Sequence, residues 1–344
     1  MFYSGIDLHK HFSIITTVDE EGVIKNQMRV NNNTPEILNY FAPFRPDVHA
    51  VVEATSGWYW LDEALKQMNV PLTLAHAKFL KAIAYAKVKT DKVDSATMAQ
   101  LLRMNYIPEA YKLDKDLRPL RDLMRTRLRL VSKRVACQNS IHRLLEKFNL
   151  SVDQADQLDS YYSFQYQLVC KQKDFLTDQI KAIASSLVPT ITESKEVQRL
   201  VWIPGIGKIN ALTLMLEIGD INRFPTVKHF FSYARLVPGA SNSGGRVQHK
   251  SGCKDGNKYL KLAFSDAAVH AVQYFPVIKK YYRTKLRRKH KRIAYAIISK
   301  ELARIVYHVL KNDQDFNGMF KGIKLQRQKK ATWPRLASPD CLTG

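Results

Sequence analysis

Two carboxylates three residues apart, Asp91 and Asp94, sit in the stretch Lys89-Thr90-Asp91-Lys92-Val93-Asp94-Ser95, just before the helix-forming residues 96–104. At the head of a helix this spacing puts both acids on one face, where they can converge on a divalent metal with acids from other elements. The same residues also admit a plain structural account, with Asp91 as the helix N-cap and Asp94 in the first turn, both suited to the orphan N–H groups and the helix dipole. Two further acids end runs of β-forming residues: Asp7 in Gly5-Ile6-Asp7-Leu8-His9-Lys10 and Glu53 in Val51-Val52-Glu53-Ala54-Thr55. If those strands are neighbours, all four acids meet at one edge of a sheet. Four carboxylates brought together repel one another, and a shared pair of Mg²⁺ ions, with Mn²⁺ as the alternative, relieves the repulsion. A two-metal site of that kind serves phosphodiester chemistry. His9, His11, Trp58 and Tyr59 lie close by in sequence. They are assigned to packing or substrate positioning, because neutral imidazole is a less natural Mg²⁺ ligand than oxygen.

The elements that must position these acids follow from the pattern of the chain. Residues 3–8, 12–18 and 23–30 read as three strands, the last two joined across Asp19-Glu20-Glu21-Gly22. Thr34 as N-cap and Pro35 at the first helical position start a helix; residues 50–53 make a fourth strand, 58–68 a helix and 71–74 a fifth strand. This is an α/β domain, a mixed sheet covered by helices, over residues 1–110. From residue 111 the chain reads as all-α. Leu117, Leu120, Met124, Leu128, Val131 and Val135 recur at three- and four-residue steps beside Arg118, Arg121, Arg125, Arg129, Lys133 and Arg134, which describes a long basic amphipathic helix. With a second run over 161–187 it makes a helical hairpin across residues 111–195, which suits either a dimerising coiled coil or a nucleic-acid grip.

A mostly helical part follows over residues 196–320. Ile203-Pro204-Gly205-Ile206-Gly207-Lys208 resembles the hairpin of a helix-hairpin-helix element, with backbone N–H groups at Gly205, Gly207 and Lys208 offered to phosphate; an ordinary turn between packed helices is the other reading. Leu236-Val237-Pro238-Gly239-Ala240-Ser241-Asn242-Ser243-Gly244-Gly245-Arg246 reads as a flexible small-residue segment outside any core. The run from Lys279 to Arg292, with Lys280, Arg283, Lys285, Arg287, Arg288, Lys289 and Lys291 and no acid, predicts contacts to phosphates, and Tyr281 and Tyr282 within it either stack on bases or pack. Residues 321–344 read as a basic flexible tail.

The whole chain of 344 residues carries a formal net charge of +23 with a pI near 9.8, so a polyanion is the expected partner. No apolar run reaches the roughly 18 residues of a bilayer span and Asp7 falls where a signal peptide needs an apolar core, which predicts a cytoplasmic protein with no membrane partner. Four cysteines, Cys137, Cys170, Cys253 and Cys341, lack CxxC spacing and suggest neither zinc nor a disulfide framework.

Asp7 in GIDLHK, Glu53 in VVEATSG and Asp91/Asp94 in KTDKVDS resemble the Asp-Glu-Asp-Asp tetrad of the DEDD insertion-sequence transposases, whose N-terminal domain has a RuvC/ribonuclease H-like fold. IPGIG at 203–207 and VPGASNSGGR at 237–246 resemble that family's C-terminal domain, and the pilin-gene invertases share the plan. The resemblance implies metal-bound acids acting with a nucleophilic serine to break and rejoin double-stranded DNA at element ends and target, guided by a structured noncoding bridge RNA. By position it assigns the nucleophile to Ser243, ahead of Ser241 and Ser251, and Arg246 to the nucleic acid. It also implies a homodimer or homotetramer. A serine hydroxyl needs a base or metal to activate it, and no sequence-local histidine supplies a triad. A RuvC-like nuclease using metal-activated water is the enzymatic alternative; a non-catalytic nucleic-acid-binding protein is the other.

Overall fold

Alternation in the first strand decides the layering. Ile6 and its neighbours Ile15 and Val52 point into one apolar cluster, whereas Gly5 and Val51 meet a helix on the opposite face. The structure is a computed structural model that describes residues 1–55, 57–83, 90–243, 246–250 and 255–325, with only the backbone given for 239–250. Five strands, β1 (Phe2–Leu8), β2 (Phe12–Val18), β3 (Ile24–Asn31), β4 (Val48–Glu53) and β5 (Leu72–Ala75), form one mixed sheet in the order β3-β2-β1-β4-β5. β1 runs antiparallel to β2 and parallel to β4, and β4 runs parallel to β5. β1 is thus the central strand.

Helices α1 (Thr34–Phe41) and α2 (Trp58–Lys66) supply Ile37, Phe41, Leu61 and Leu65 to the cluster around Ile6. On the other face, α3 (Ala77–Ile83) gives Leu80, and α4 (Asp91–Arg103) gives Met98, Leu101 and Leu102, packed against Val51 and Ala75. The α1 cap differs from expectation: Asn33, one residue before Thr34, accepts the Glu36 N–H at 2.9 Å, and the Glu36 carboxylate accepts bonds from Asn33 and Asn31. Beyond α4, the segment around Glu109 lines the free edge of β5, with a bridge from Glu109 to Ala75. This unit, Met1–Leu113, is one of two compact units.

The second unit, Asp114–Gly344, begins with α5 (Arg118–Glu146) and α6 (Ser160–Ser186), a helical hairpin closed by Ile141, Leu144, Leu145 and Leu158 with Tyr162, Tyr166 and Val169. Then come α7 (Val188–Glu193), α8 (Lys195–Val201), α9 (Lys208–Ile218), α10 (Val227–Tyr233), the strands β6 (Gly239–Ser243) and β7 (Arg246–Lys250), α11 (Lys258–Tyr274), α12 (Pro276–Leu286), α13 (Lys291–Lys311) and the two-residue strands β8 (Met319–Phe320) and β9 (Ile323–Lys324). Leu212, Leu216, Phe230, Phe264, Ala267, Ala271, Ile298, Leu302 and Val306 form its core. Three details depart from the sequence pattern. Val135, placed on the apolar stripe of the long helix, is exposed. The small-residue segment pairs as an antiparallel ribbon, Gly239 opposite Lys250 and Ser243 opposite Arg246. Lys321, expected to open a flexible tail, is held 2.8 Å from the buried carboxylate of Glu301; residues 326–344 lie outside the described residues.

Candidate metal centre and nucleic-acid surface

Parallel pairing of β1 with β4 matches Ile6 to Val52, so the next residue on each strand, Asp7 and Glu53, arrives at the same sheet edge. Thr90 caps α4, its hydroxyl accepting the Val93 N–H at 3.3 Å. Asp91 is therefore not the cap, and both Asp91 and Asp94 stand in the first turn.

Several contacts fix how closely α4 sits on the sheet. Gly5 faces it with no room for a side chain: a Cβ there would stand 2.6 Å from Ala99 N and 2.9 Å from Met98 Cβ, and closer still to Ser95 O. Thr16 Oγ1 and Ser95 Oγ share a buried hydrogen bond of 2.7 Å, and Gln27 Nε2 donates to Lys92 O at 3.1 Å. At the far end, Gln100 Nε2 donates to Gly22 O at 2.6 Å and Arg103 to Glu20 O at 3.0 Å.

These contacts deliver Asp91 to Asp7. His9 Nε2 lies 3.3 Å from Asp7 Oδ2 and 3.1 Å from Asp91 Oδ2, and one ligand atom from each of the three falls within 4.8 Å of the others. Among the described residues this is the close group of possible metal ligands. Glu53 and Asp94 are not part of it but act on it electrostatically. Burial pushes the Asp7 carboxyl above its usual range, His9 pulls it back, and the negative charges of Asp91, Asp94 and Glu53 add to the rise. A carboxylate repelled by three others, beside a ring nitrogen that is shielded from solvent and makes no hydrogen bond, is an arrangement that could hold a cation. Sequence reasoning set His9 aside; its place two residues after Asp7, just past the end of the strand, was the available signal.

The predicted nucleic-acid contacts divide. Lys279, Lys280, Arg283, Arg287, Arg288, Lys289, Lys291 and Arg292 are exposed on α12, the turn after it and the start of α13, while Lys285 lies over the Tyr281 ring at 4.8 Å. The two tyrosines pack: Tyr282 on Tyr295 and Tyr281 on Phe320. On α5, Arg129 and Lys133 are exposed and Arg121 and Arg134 partly so.

Two of the basic residues singled out on that helix, Arg118 and Arg125, turn toward the protein interior. Arg118 is buried, and Arg125 makes a bidentate pair with the buried Glu217, 2.6 and 2.7 Å long, which Asn257 Nδ2 also joins at 2.7 Å. Gly205 is likewise explained by packing. It is buried at φ +80°, and a Cβ would stand 2.7 Å from Ala271 N of α11. Gly207 and Lys208 begin α9 with open space beside Gly207. Ser243 ends β6 directly across from Arg246; the side chains of both, and residues Gly244, Gly245 and Ser251, lie outside the described residues.

Two family models match the chain. A transposase model of the DEDD IS110 type covers residues 4–150, the stretch that contains all four acids, and the model of the IS116/IS110/IS902 transposase family covers residues 197–283, which contain the β6–β7 ribbon. The chain belongs to the IS110 family of DEDD transposases. Among similar proteins, the transposase for insertion sequence element IS1328 of Yersinia enterocolitica is 23% identical over 322 residues, 89% of this chain and 95% of that one. A probable family 20 transposase of Pseudomonas aeruginosa is 24% identical over 75% of this chain and 80% of its own. The pilin gene-inverting protein of Moraxella bovis is 32% identical over 121 residues, 34% of this chain and 38% of that one. Membership of the DEDD transposases suggests use of a divalent metal, and the group of Asp7, His9 and Asp91 could hold such an ion. Among the described residues no helix is long and apolar enough to cross a membrane.

Proposed function

We propose that this transposase cuts and rejoins DNA of a mobile element through a serine nucleophile and divalent cations, on DNA sites chosen by a structured noncoding RNA. Asp7, Glu53, Asp91 and Asp94 hold two ions, Mg²⁺ with Mn²⁺ as the alternative. Bound there, such ions supply activation of an attacking oxygen and stabilisation of a leaving one. The observation that carries this reading is the approach of Asp7 and Asp91 to within hydrogen-bonding distance of one imidazole nitrogen, with Glu53 and Asp94 in electrostatic reach.

Ser243 Oγ loses its proton to a base and forms a bond to a DNA phosphorus as the phosphorus–oxygen bond to the neighbouring nucleotide breaks. The phosphoserine link keeps the bond energy needed for rejoining, which hydrolysis would release. The exposed cations of residues 279–292, with Arg129 and Lys133, grip phosphates and give affinity that falls steeply with salt. A homodimer or homotetramer brings the DNA ends together.

The test is incubation with Mg²⁺, the flanking noncoding RNA and element-end DNA, followed by a search for a denaturation-resistant protein–DNA adduct. The parent forms it, and Ser243→Ala forms none while still binding RNA and DNA. An undiminished adduct in Ser243→Ala would remove the serine assignment. Metal-dependent cleavage with no adduct in the parent would move the protein to the water-using nuclease class.

A further inference from the structure

We propose that His9 is a nitrogen ligand of the cation site, and that its presence makes this position prefer a first-row transition ion such as Mn²⁺ over Mg²⁺. The inference rests on the proposed metal centre and adds to it a donor that the four acids do not include. Ions with bonds of about 2.1–2.2 Å hold adjacent donors about 3.0–3.1 Å apart in octahedral geometry. His9 Nε2 stands at 3.3 Å from Asp7 Oδ2 and 3.1 Å from Asp91 Oδ2, and one ligand atom from each of the three residues lies within 4.8 Å of the others, so the nitrogen stands close to ligand spacing from each oxygen. The ring is partly exposed, yet its Nε2 atom is shielded from solvent and has no hydrogen-bond partner, although two carboxylate oxygens are near. A buried nitrogen left in that condition is costly unless something else fills the gap.

His9 is also held as a ligand must be. Its backbone N–H donates to Phe12 O at 3.0 Å, and its carbonyl accepts Asn32 Nδ2 at 2.7 Å. Asn32 in turn accepts the Ser13 hydroxyl at 2.7 Å. The imidazole lies against Phe12 with ring centroids 4.7 Å apart, and the Arg29 guanidinium sits 4.0 Å over the same phenyl ring. The turn between β1 and β2 is thus braced from two sides, which fixes the direction of the ring. Mg²⁺ keeps an all-oxygen shell and sheds water reluctantly, whereas transition ions accept imidazole readily.

The experiment is pulsed electron paramagnetic resonance of Mn²⁺ bound to the full chain, together with competition of Mn²⁺ against Mg²⁺. The parent shows nitrogen modulation of the Mn²⁺ signal, and ¹⁵N-histidine labelling changes its pattern. His9→Asn binds Mn²⁺ about 10–100-fold more weakly, loses the modulation, and loses much of the preference over Mg²⁺. This readout needs no DNA cleavage, and the labelled parent needs no variant to fold. Mn²⁺ bound with no nitrogen modulation in the parent overturns the His9 ligand while leaving the acids as a metal site. Modulation that persists in His9→Asn overturns it too. No Mn²⁺ binding at all, in the parent or in the presence of DNA, overturns the metal centre itself.

Discussion

Substituting Gly5 by Ala tests whether the seat of α4 on β1 sets the geometry of the metal centre. The added Cβ would stand 2.6 Å from Ala99 N and 2.9 Å from Met98 Cβ. Contact at about 3.4 Å or more is needed, so α4 must withdraw by at least about 0.8 Å. Neither opposing atom at Ser95 O and Ala99 N is the end of a flexible side chain; both are helix backbone, and the whole helix has to move. Overpacking of this kind costs about 1–3 kcal/mol, and loosening the buried Thr16–Ser95 hydrogen bond adds about 1 kcal/mol, so Gly5→Ala loses about 2–4 kcal/mol in urea unfolding. Asp91 rides on the first turn of the same helix and moves away from Asp7 and His9. Mn²⁺ affinity measured by calorimetry falls about 10–100-fold, and DNA cleavage falls by about 100-fold. A Gly5→Ala protein within about 0.5 kcal/mol of the parent, with unchanged Mn²⁺ affinity, would refute the reasoning.

Two other outcomes follow from features already described. Gly205→Ala, which forces a side chain onto φ +80° and against Ala271, destabilises by about 3 kcal/mol or more in urea unfolding, whereas Gly207→Ala, with φ −81° and open space, stays within about 1 kcal/mol. Asp7 has a raised carboxyl in the folded protein, so without metal the fold binds its proton more tightly than the unfolded chain does, and stability is lost as pH rises through the folded pKa. Asp7→Asn therefore raises the thermal midpoint of the metal-free protein at neutral pH, and its advantage shrinks as pH falls. Adding Mn²⁺ at about 100 times its Kd reverses the order by stabilising the parent about 2.7 kcal/mol and the variant far less. Equal metal-free midpoints at neutral pH would contradict the burial penalty, and the added repulsion from the other acids, that raise the Asp7 carboxyl.

The sheet was largely legible because its strands are short runs of β-formers separated by polar turns, and residues 12–18 of the second strand match to the residue. The arrival of Asp7 and Glu53 at one sheet edge required only that β1 and β4 be neighbours, which they are. The part played by Gly5 was not legible, since a glycine in a strand gives no sign of what crosses it. Nor were the inward-facing arginines: a basic helix shows its stripe, but Glu217, the partner of Arg125, comes 92 residues later and its burial is set by the fold. Thr90 and Asp91 are both good N-cap residues, and local pattern does not choose between adjacent candidates. Residues 236–246 read as a flexible segment because small residues lack β-propensity, whereas Gly239–Ser243 pairs with Arg246–Lys250.

The position of β1 carries a further consequence, for the order of folding. Its hairpin with β2 closes within the first twenty residues, but its other neighbour, β4, is made only after α1, and the helix that seats on Gly5 ends at Arg103. The donors of the metal centre are therefore among the last parts of the unit to be joined, by contacts of long sequence separation that form slowly. A chain still emerging from the ribosome holds Asp7 and His9 long before Asp91 exists. Cation capture at the proposed centre would thus report completion of the N-terminal unit, because the centre is not assembled ahead of its fold.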